Sequence, residues 1–195
     1  MDHSENTLRD CIQAIFPMSA SANAEIRRRV EFLPAARGEV FIKQEAANRY
    51  EYFLIEGVCR SFLIDPQGEE ITISFFQGAS VLSPHSVRTV RERSFYNFQA
   101  CTDILLGRLD AANFMQLMIA HPEVRDFGNT VMRLELMRKV EREVGLAVLT
   151  ARERLLKFRE QFSMLENLVP HTQIASYLGI SAISLSRLRS DIARE

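Results

Sequence analysis

The stretch HTQIASYLGISAISLSRLR, residues 171–189, decides the architecture. As one helix it has unevenly spaced apolar residues and a glycine in the middle. As two helices around a tight turn, each position has a place. Ile174 and Leu178 are four apart, Ala175 is small where two backbones would cross, and Gly179 tolerates the positive φ of a turn. Ile180 plugs the turn, Ser181 can cap the next helix, and Leu185 and Leu188 face inward from it. The spacing predicts a helix-turn-helix. Its second helix would then present Ser181, Ala182, Ile183, Ser184, Ser186, Arg187 and Ser190 outward. Short polar residues let a backbone approach base edges, and an arginine pairs bidentately with guanine. His171, Thr172 and Gln173, at the start of the first helix, are placed to touch phosphates. For Arg187 and His171 taken alone, the competing reading is an ordinary solvated side chain.

The bulk composition permits this. The chain has 195 residues, 47% hydrophobic and 25% charged, a globular mixture with a net charge of −1. From residue 150 onward seven bases face five acids, so that part is +2 and the part before it −3. A local basic face can coexist with a neutral total. Cys11, Cys59 and Cys101 are far apart and odd in number, which suits neither a disulfide framework nor zinc. Cys59 and Cys101 sit in apolar runs and are expected to be buried thiols. No apolar stretch approaches the ~18 residues that span a bilayer. The opening MDHSENTLRD is unlike a signal peptide, so a cytoplasmic location without membrane contact is expected. The four histidines are scattered, and no Ser/His/Asp or paired-carboxylate arrangement is legible. Neither catalytic residues nor metal ligands are expected, and the chain does not read as an enzyme.

Working back toward the N-terminus, residues 151–165 look helical, and before them lies a long periodic segment. Val124, Phe127, Val131, Leu134, Met137, Val140, Val144 and Val148 recur every three or four residues, close to the ~3.5 spacing of a coiled-coil seam. This is either a helix lying on its own domain or a helix that pairs with a second copy. Its length favours the second reading, with Val124 to Val144 as the interface. Asp110 is placed to cap a helix that packs Phe114, Leu117 and Met118. Residues 38–109 are short runs rich in β-branched and aromatic residues. Asp65-Pro66-Gln67-Gly68 is a hairpin signal between two of them. Helices are expected over 4–16 and 21–33. The fold class is therefore α+β: an antiparallel jelly-roll barrel with flanking helices, a long dimerisation helix and a C-terminal helix-turn-helix. The expected division is 1–121, 122–148 and 149–195.

That order of parts resembles the Crp/Fnr superfamily of bacterial transcription regulators. GEVFIKQEAANRYEYFLIEGVCRSF, GEEITISFFQG and TQIASYLGISAISLSRLR carry the resemblance, which extends over nearly the whole chain. It implies a cyclic-nucleotide-binding-like barrel, a homodimer, double-stranded promoter DNA as partner, and RNA polymerase as a further one. Family members that bind cyclic AMP hold its ribose with a Glu and its phosphate with an Arg and backbone N–H groups. Here Gly78 and the pair Arg93-Ser94 stand at matching positions, but Ser83 replaces the Glu and Pro84 follows it. Tight cyclic AMP binding is not expected. Arg93 is then either a leftover surface residue or a reader of another anion. No cofactor is expected, and the effector stays unidentified. The recognition helix, which in the family often opens Ser/Thr-Arg-Glu-Thr, reads Ser181-Ala182-Ile183-Ser184, so the operator should differ from the well-known one. The family's β-hairpin wing has no counterpart before Glu195, and the N-terminal iron–sulfur cysteines of one branch are missing. The competing function is a small-molecule sensor whose C-terminal helices serve packing or partner binding.

Overall fold

In the computed structural model, which describes residues 3–194, two helices open the chain: α1 (His3–Ile15) and α2 (Ala20–Arg27). Leu8, Cys11 and Ile12 make the apolar stripe of α1, and Ala22 and Ile26 that of α2. The helix expected over 21–33 stops early. Residues 31–35 instead form strand β1 (Glu31–Ala35), with Leu33 paired to Leu106. The apolar spacing of Ile26, Val30 and Leu33 fits either state, and pairing with a neighbouring strand decided it. Pro34, which cannot donate to a ladder, is tolerated because β1 lies at a sheet edge.

The barrel continues through β2 (Val40–Ile42), β3 (Tyr50–Glu56), β4 (Val58–Ile64), β5 (Glu70–Gln77) and β6 (Ser80–Val81). A single turn of helix, α3 (His85–Arg88), leads into a small ribbon, β7 (Thr89–Val90) and β8 (Arg93–Ser94). The barrel closes with β9 (Asn97–Ala100) and β10 (Ile104–Asp110). Two antiparallel sheets result, ordered β1-β10-β3-β6 and β2-β9-β4-β5. Between them lie Leu54, Cys59, Phe76, Leu82, Phe98 and Leu106. The β4–β5 turn is the hairpin read from Asp65 to Gly68: Asp65 Oδ1 accepts from the N–H groups of Gln67 and Glu69, and Gly68 sits at φ 89°. Strand β5 is left at an edge.

Asp110 caps α4 (Ala111–Ala120) by accepting from the N–H groups of Ala112 and Asn113. Pro122 opens α5 (Pro122–Val148), whose missing N–H costs nothing in a first turn. Thr150 and Glu153 form a reciprocal capping box at the start of α6 (Ala151–Gln161). A short α7 (Leu165–Leu168) precedes α8 (His171–Leu178) and α9 (Ala182–Ile192). Helices α1, α2, α4 and the start of α5 share one core with Phe53, Ile55 and Leu109 of the first sheet. Helices α6 to α9 have a core of their own, completed by Val58, Phe75 and Cys101 from the outer face of the barrel. None of the described helices is long and apolar enough to cross a membrane.

Candidate nucleic-acid interface and barrel lumen

The turn between α8 and α9 follows from local chemistry. Gly179 adopts φ 67°, ψ 37°, the left-handed conformation that a side chain would strain. Its N–H bonds the carbonyl of Ser176, and that of Ile180 bonds the carbonyl of Ala175, a Schellman end to α8. Ser181 Oγ then accepts from Ser184 N–H at 3.1 Å and starts α9. Ile174, Ala175, Leu178 and Leu185 are buried where the helices cross, and Ile180 and Leu188 pack against them.

The outward side of α9 carries Ala182, Ser186 and Ser190 in one row, four residues apart, and Ile183 and Arg187 in the next. All five are exposed, Ile183 by 66%. Arg187 has no hydrogen bond or ion pair among the described residues. Ser181 and Ser184 are exposed as well, but their hydroxyls lie 2.9 Å apart and serve the helix start. Arg189 is held rather than free: its guanidinium meets Glu166 at 3.1 Å and a ring nitrogen of His171 at 2.7 Å. Glu166 also receives Arg159 at 2.6 Å, so one carboxylate joins α6, α7 and α9, and Arg189 carries the link on to His171 of α8. His171 and Thr172 are exposed at the start of α8. Gln173 is turned the other way, its Oε1 3.9 Å from Cys101 Sγ on the barrel, so it does not share the surface of its two neighbours.

Helix α8 is fastened to the barrel edge. Ser176 Oγ accepts from Thr72 N–H at 2.9 Å and donates to the Glu70 carbonyl at 3.0 Å, occupying the unpaired groups of β5 as a strand would. Arg142, from α5, donates to the carbonyls of both Thr72 and Tyr177. Behind this, the Phe75 ring lies 5.4 to 6.2 Å from those of Tyr177, Phe158 and Phe162. Nothing in the spacing of residues 171–189 signals these barrel contacts.

The four residues expected around a ligand do not converge. Gly78 forms the β5–β6 turn, where a Cβ would lie 2.9 Å from the Ile55 carbonyl. Ser83 is buried and donates to Glu135 of α5 at 2.6 Å. Arg93 is exposed on β8 and donates to the Glu45 carbonyl, and Ser94 is buried and bonds the Tyr96 carbonyl. The arginine that enters the barrel is Arg88. It is fully buried, donating to the Ser83 carbonyl at 2.9 Å, to Asn48 Oδ1 at 2.8 Å and to the Tyr50 carbonyl. Its guanidinium carbon lies 5.2 Å from the centre of the Tyr52 ring. Burial pulls the Arg88 pKa below the ordinary guanidinium value, while neighbouring Glu51 and Tyr52 hold it up. Burial pushes the Glu51 carboxyl above its usual range, opposed by the His85 N–H it accepts and by Arg88. Both arginines lie in RTVRERS, Arg88 at the end of α3 and Arg93 on β8.

The long helix divides its apolar residues between two faces. Val124 and Phe127 are buried in the chain's own core and are unavailable to a partner, and Val131 and Leu134 are half-buried. Met137, Val140, Val144 and Val148 are exposed, together with Met132 and Leu136, which the seam reading missed. Met132, Leu136, Val140, Val144 and Val148, each four residues on, form one row. Met132 still touches the barrel, accepting from Ser86 Oγ at 3.4 Å, and from Leu136 to Val148 the row turns away from the face on which Glu135, Lys139 and Arg142 meet the barrel.

Residues 32–121 match the family model of the cyclic nucleotide-binding domain. No curated protein sequence matches the chain. Among solved structures, FixK2 from Bradyrhizobium japonicum is similar at a TM-score of 0.73 and 16% identity, over 85% of each chain. The c-di-GMP-responsive global regulator CLP of Xanthomonas campestris superposes at 0.70 with 11% identity, covering 90% of this chain and 92% of that one. A transcriptional regulator of the Crp/Fnr family from Eubacterium rectale gives 0.70 at 16%, over 90% and 85%. A jelly-roll barrel, a long helix and a helix-turn-helix thus make up this chain in the order found in Crp/Fnr regulators.

Proposed function

We propose that this chain, built on the Crp/Fnr architecture, is a transcription regulator that binds double-stranded DNA as a homodimer and does so without cyclic AMP. The observation that carries the reading is the row of exposed residues on α9, Ala182, Ile183, Ser186, Arg187 and Ser190, presented by a capped helix-turn-helix. With three small residues the helix can lie deep in the major groove. Arg187 then reads guanine O6 and N7, and Ile183 packs on a thymine methyl. His171 and Thr172 approach the phosphates. Two copies pair through the outward row of α5, with Leu136, Val140 and Val144 at its centre, and read half-sites about one helical turn apart. Residues 1–121 form the sensor, 122–148 the pairing helix and 149–195 the reading domain. Ser83, which stands in place of the family's ribose-binding Glu and is committed to Glu135, and Arg93, which donates to the Glu45 carbonyl, support a barrel that does not bind cyclic AMP.

Selection of bound sequences from a random DNA pool tests this reading. A two-fold motif is expected, with Arg187→Ala weakening binding roughly tenfold or more and relaxing one guanine position. Absence of any enrichment at low salt, where phosphate contacts are strongest, overturns it. The shared core of α6–α9 with Val58, Phe75 and Cys101 favours a second reading, in which the C-terminal helices serve packing. That reading expects Arg187→Ala to be silent.

A further inference from the structure

A cleft of about 460 Å³ opens where β5, α5, α6 and α8 meet, a volume suited to a small ligand. Its walls are chemically unlike the rest of this nearly neutral chain. Five cations line it, Arg138, Lys139, Arg142, Arg154 and Lys157, against two acids, Glu135 and Glu141. Of these acids, Glu135 is shared by Arg138 at 3.5 Å and Lys139 at 3.3 Å, and it already accepts from Ser83. Among the described residues the hydrogen bonds of Arg142 and Arg154 go to backbone carbonyls, Thr72 and Tyr177 for the first, Leu178 and Leu149 for the second, and the Arg142 guanidinium also lies 5.3 Å from the centre of the Tyr177 ring. Arg142 Nε is enclosed with no hydrogen-bond partner at all. Lys157 is exposed at the rim, with Glu153 one turn earlier on its own helix and no ion pair among the described residues. A cation enclosed without a counter-charge is costly, and an anion in the cleft would relieve it. A cluster of rings, Phe75, Phe158, Phe162 and Tyr177, lines the same cleft beside Arg142.

We propose that this cleft binds an organic anion carrying a flat apolar ring, its charged end on Arg142, Arg154 and Lys157 and its ring on the aromatic wall. Such a ligand touches the barrel edge and the reading domain at once. Arg142 bridges the Thr72 carbonyl of β5 and the Tyr177 carbonyl of α8, so an anion that draws its guanidinium away alters how α8 is fastened. The site therefore couples ligand to operator affinity, and by linkage the operator changes ligand affinity by the same factor. The coupling rests on the reading of the chain as a DNA-binding regulator; the binding itself does not.

Calorimetric titration of the full chain, without DNA, with 2-naphthoate, 2-naphthyl phosphate and the neutral 2-naphthalenemethanol tests the site. Both anions, or whichever headgroup fits, should bind at least tenfold more tightly than the neutral compound. Arg142→Gln should weaken anion binding tenfold or more and Lys157→Gln several-fold, with the circular dichroism spectrum unchanged. If Arg142→Gln does not fold, Lys157→Gln alone decides. Equal binding of charged and neutral compounds, no binding of any, or full affinity in the folded variants overturns the proposal. Anion binding without any effect on enriched operator DNA would retain the site and remove the coupling. Failure of the DNA selection with anion binding intact would count against the regulator reading alone.

Discussion

Two arginines, Arg88 inside the barrel and Arg142 at the edge of the cleft between β5, α5, α6 and α8, show how differently this chain treats a charge taken out of water. Arg88 meets three oxygen acceptors on Ser83, Asn48 and Tyr50 and lies against two rings. Arg142 meets two carbonyls and one ring, and one of its N–H groups has no partner. Burial lowers the pKa of both. In one place the fold has completed the coordination of the cation and closed the space. In the other the coordination is incomplete and the space is open. The first arrangement holds a structure together, and the second is suited to receive a group from outside.

Arg88→Gln gives the sharpest test of this contrast. It leaves buried acceptors unsatisfied and should cost about 3 kcal/mol, lowering the melting temperature by roughly 6–12 °C. A loss no greater than that of Arg142→Gln would break the comparison. Ser176→Ala comes next. It strips the Thr72 N–H and Glu70 carbonyl of their partner and should cost about 1 kcal/mol, read by urea unfolding. It should also speed amide exchange at Thr72 relative to the rest of β5. Arg142→Gln should stay within about 1 kcal/mol in the same measurement, because it gives up two long hydrogen bonds to carbonyls while removing an enclosed Nε that has no partner.

The smallest effect concerns pH. Burial raises the Glu51 carboxyl above its unfolded value, so the folded chain binds more protons in the window between the two values. Stability falls there as pH rises, and the slope is that of a group destabilising when ionised. Glu51→Gln should flatten this part of the stability curve just above the ordinary carboxylate range. An unchanged slope relative to the parent chain would show that the Arg88 neighbourhood holds Glu51 ionised throughout.

Legibility varied with the range of the interaction. The α8–α9 turn was readable because its determinants, Ala175, Gly179, Ser181 and Leu185, lie within eleven residues and act through local hydrogen bonds and one crossing. The same holds for the Asp65–Gly68 turn and the Asp110 cap. Residues 31–35 were misread because three apolar residues at intervals of three and four fit a helix until a partner strand is known. Val124 and Phe127 were misassigned for a related reason. A periodic seam reports that one stripe is apolar, and 27 residues of helix have room for two stripes with different partners.

By itself, then, the sequence determined most of the element types, the long helix from Pro122 to Val148 and the tight α8–α9 turn. Those depend on φ preferences, caps and helical periods, which a residue and its near neighbours settle. Only the tertiary structure decided that Arg88 rather than Arg93 enters the barrel, that Leu136 faces outward while Phe127 does not, and that Ser176 completes the edge of β5. Each of these depends on which surfaces meet across long stretches of chain, 40 residues between Arg88 and Asn48 and 104 between Thr72 and Ser176. Spacing along one element specifies a face, but the partner of that face is set by how the whole chain closes.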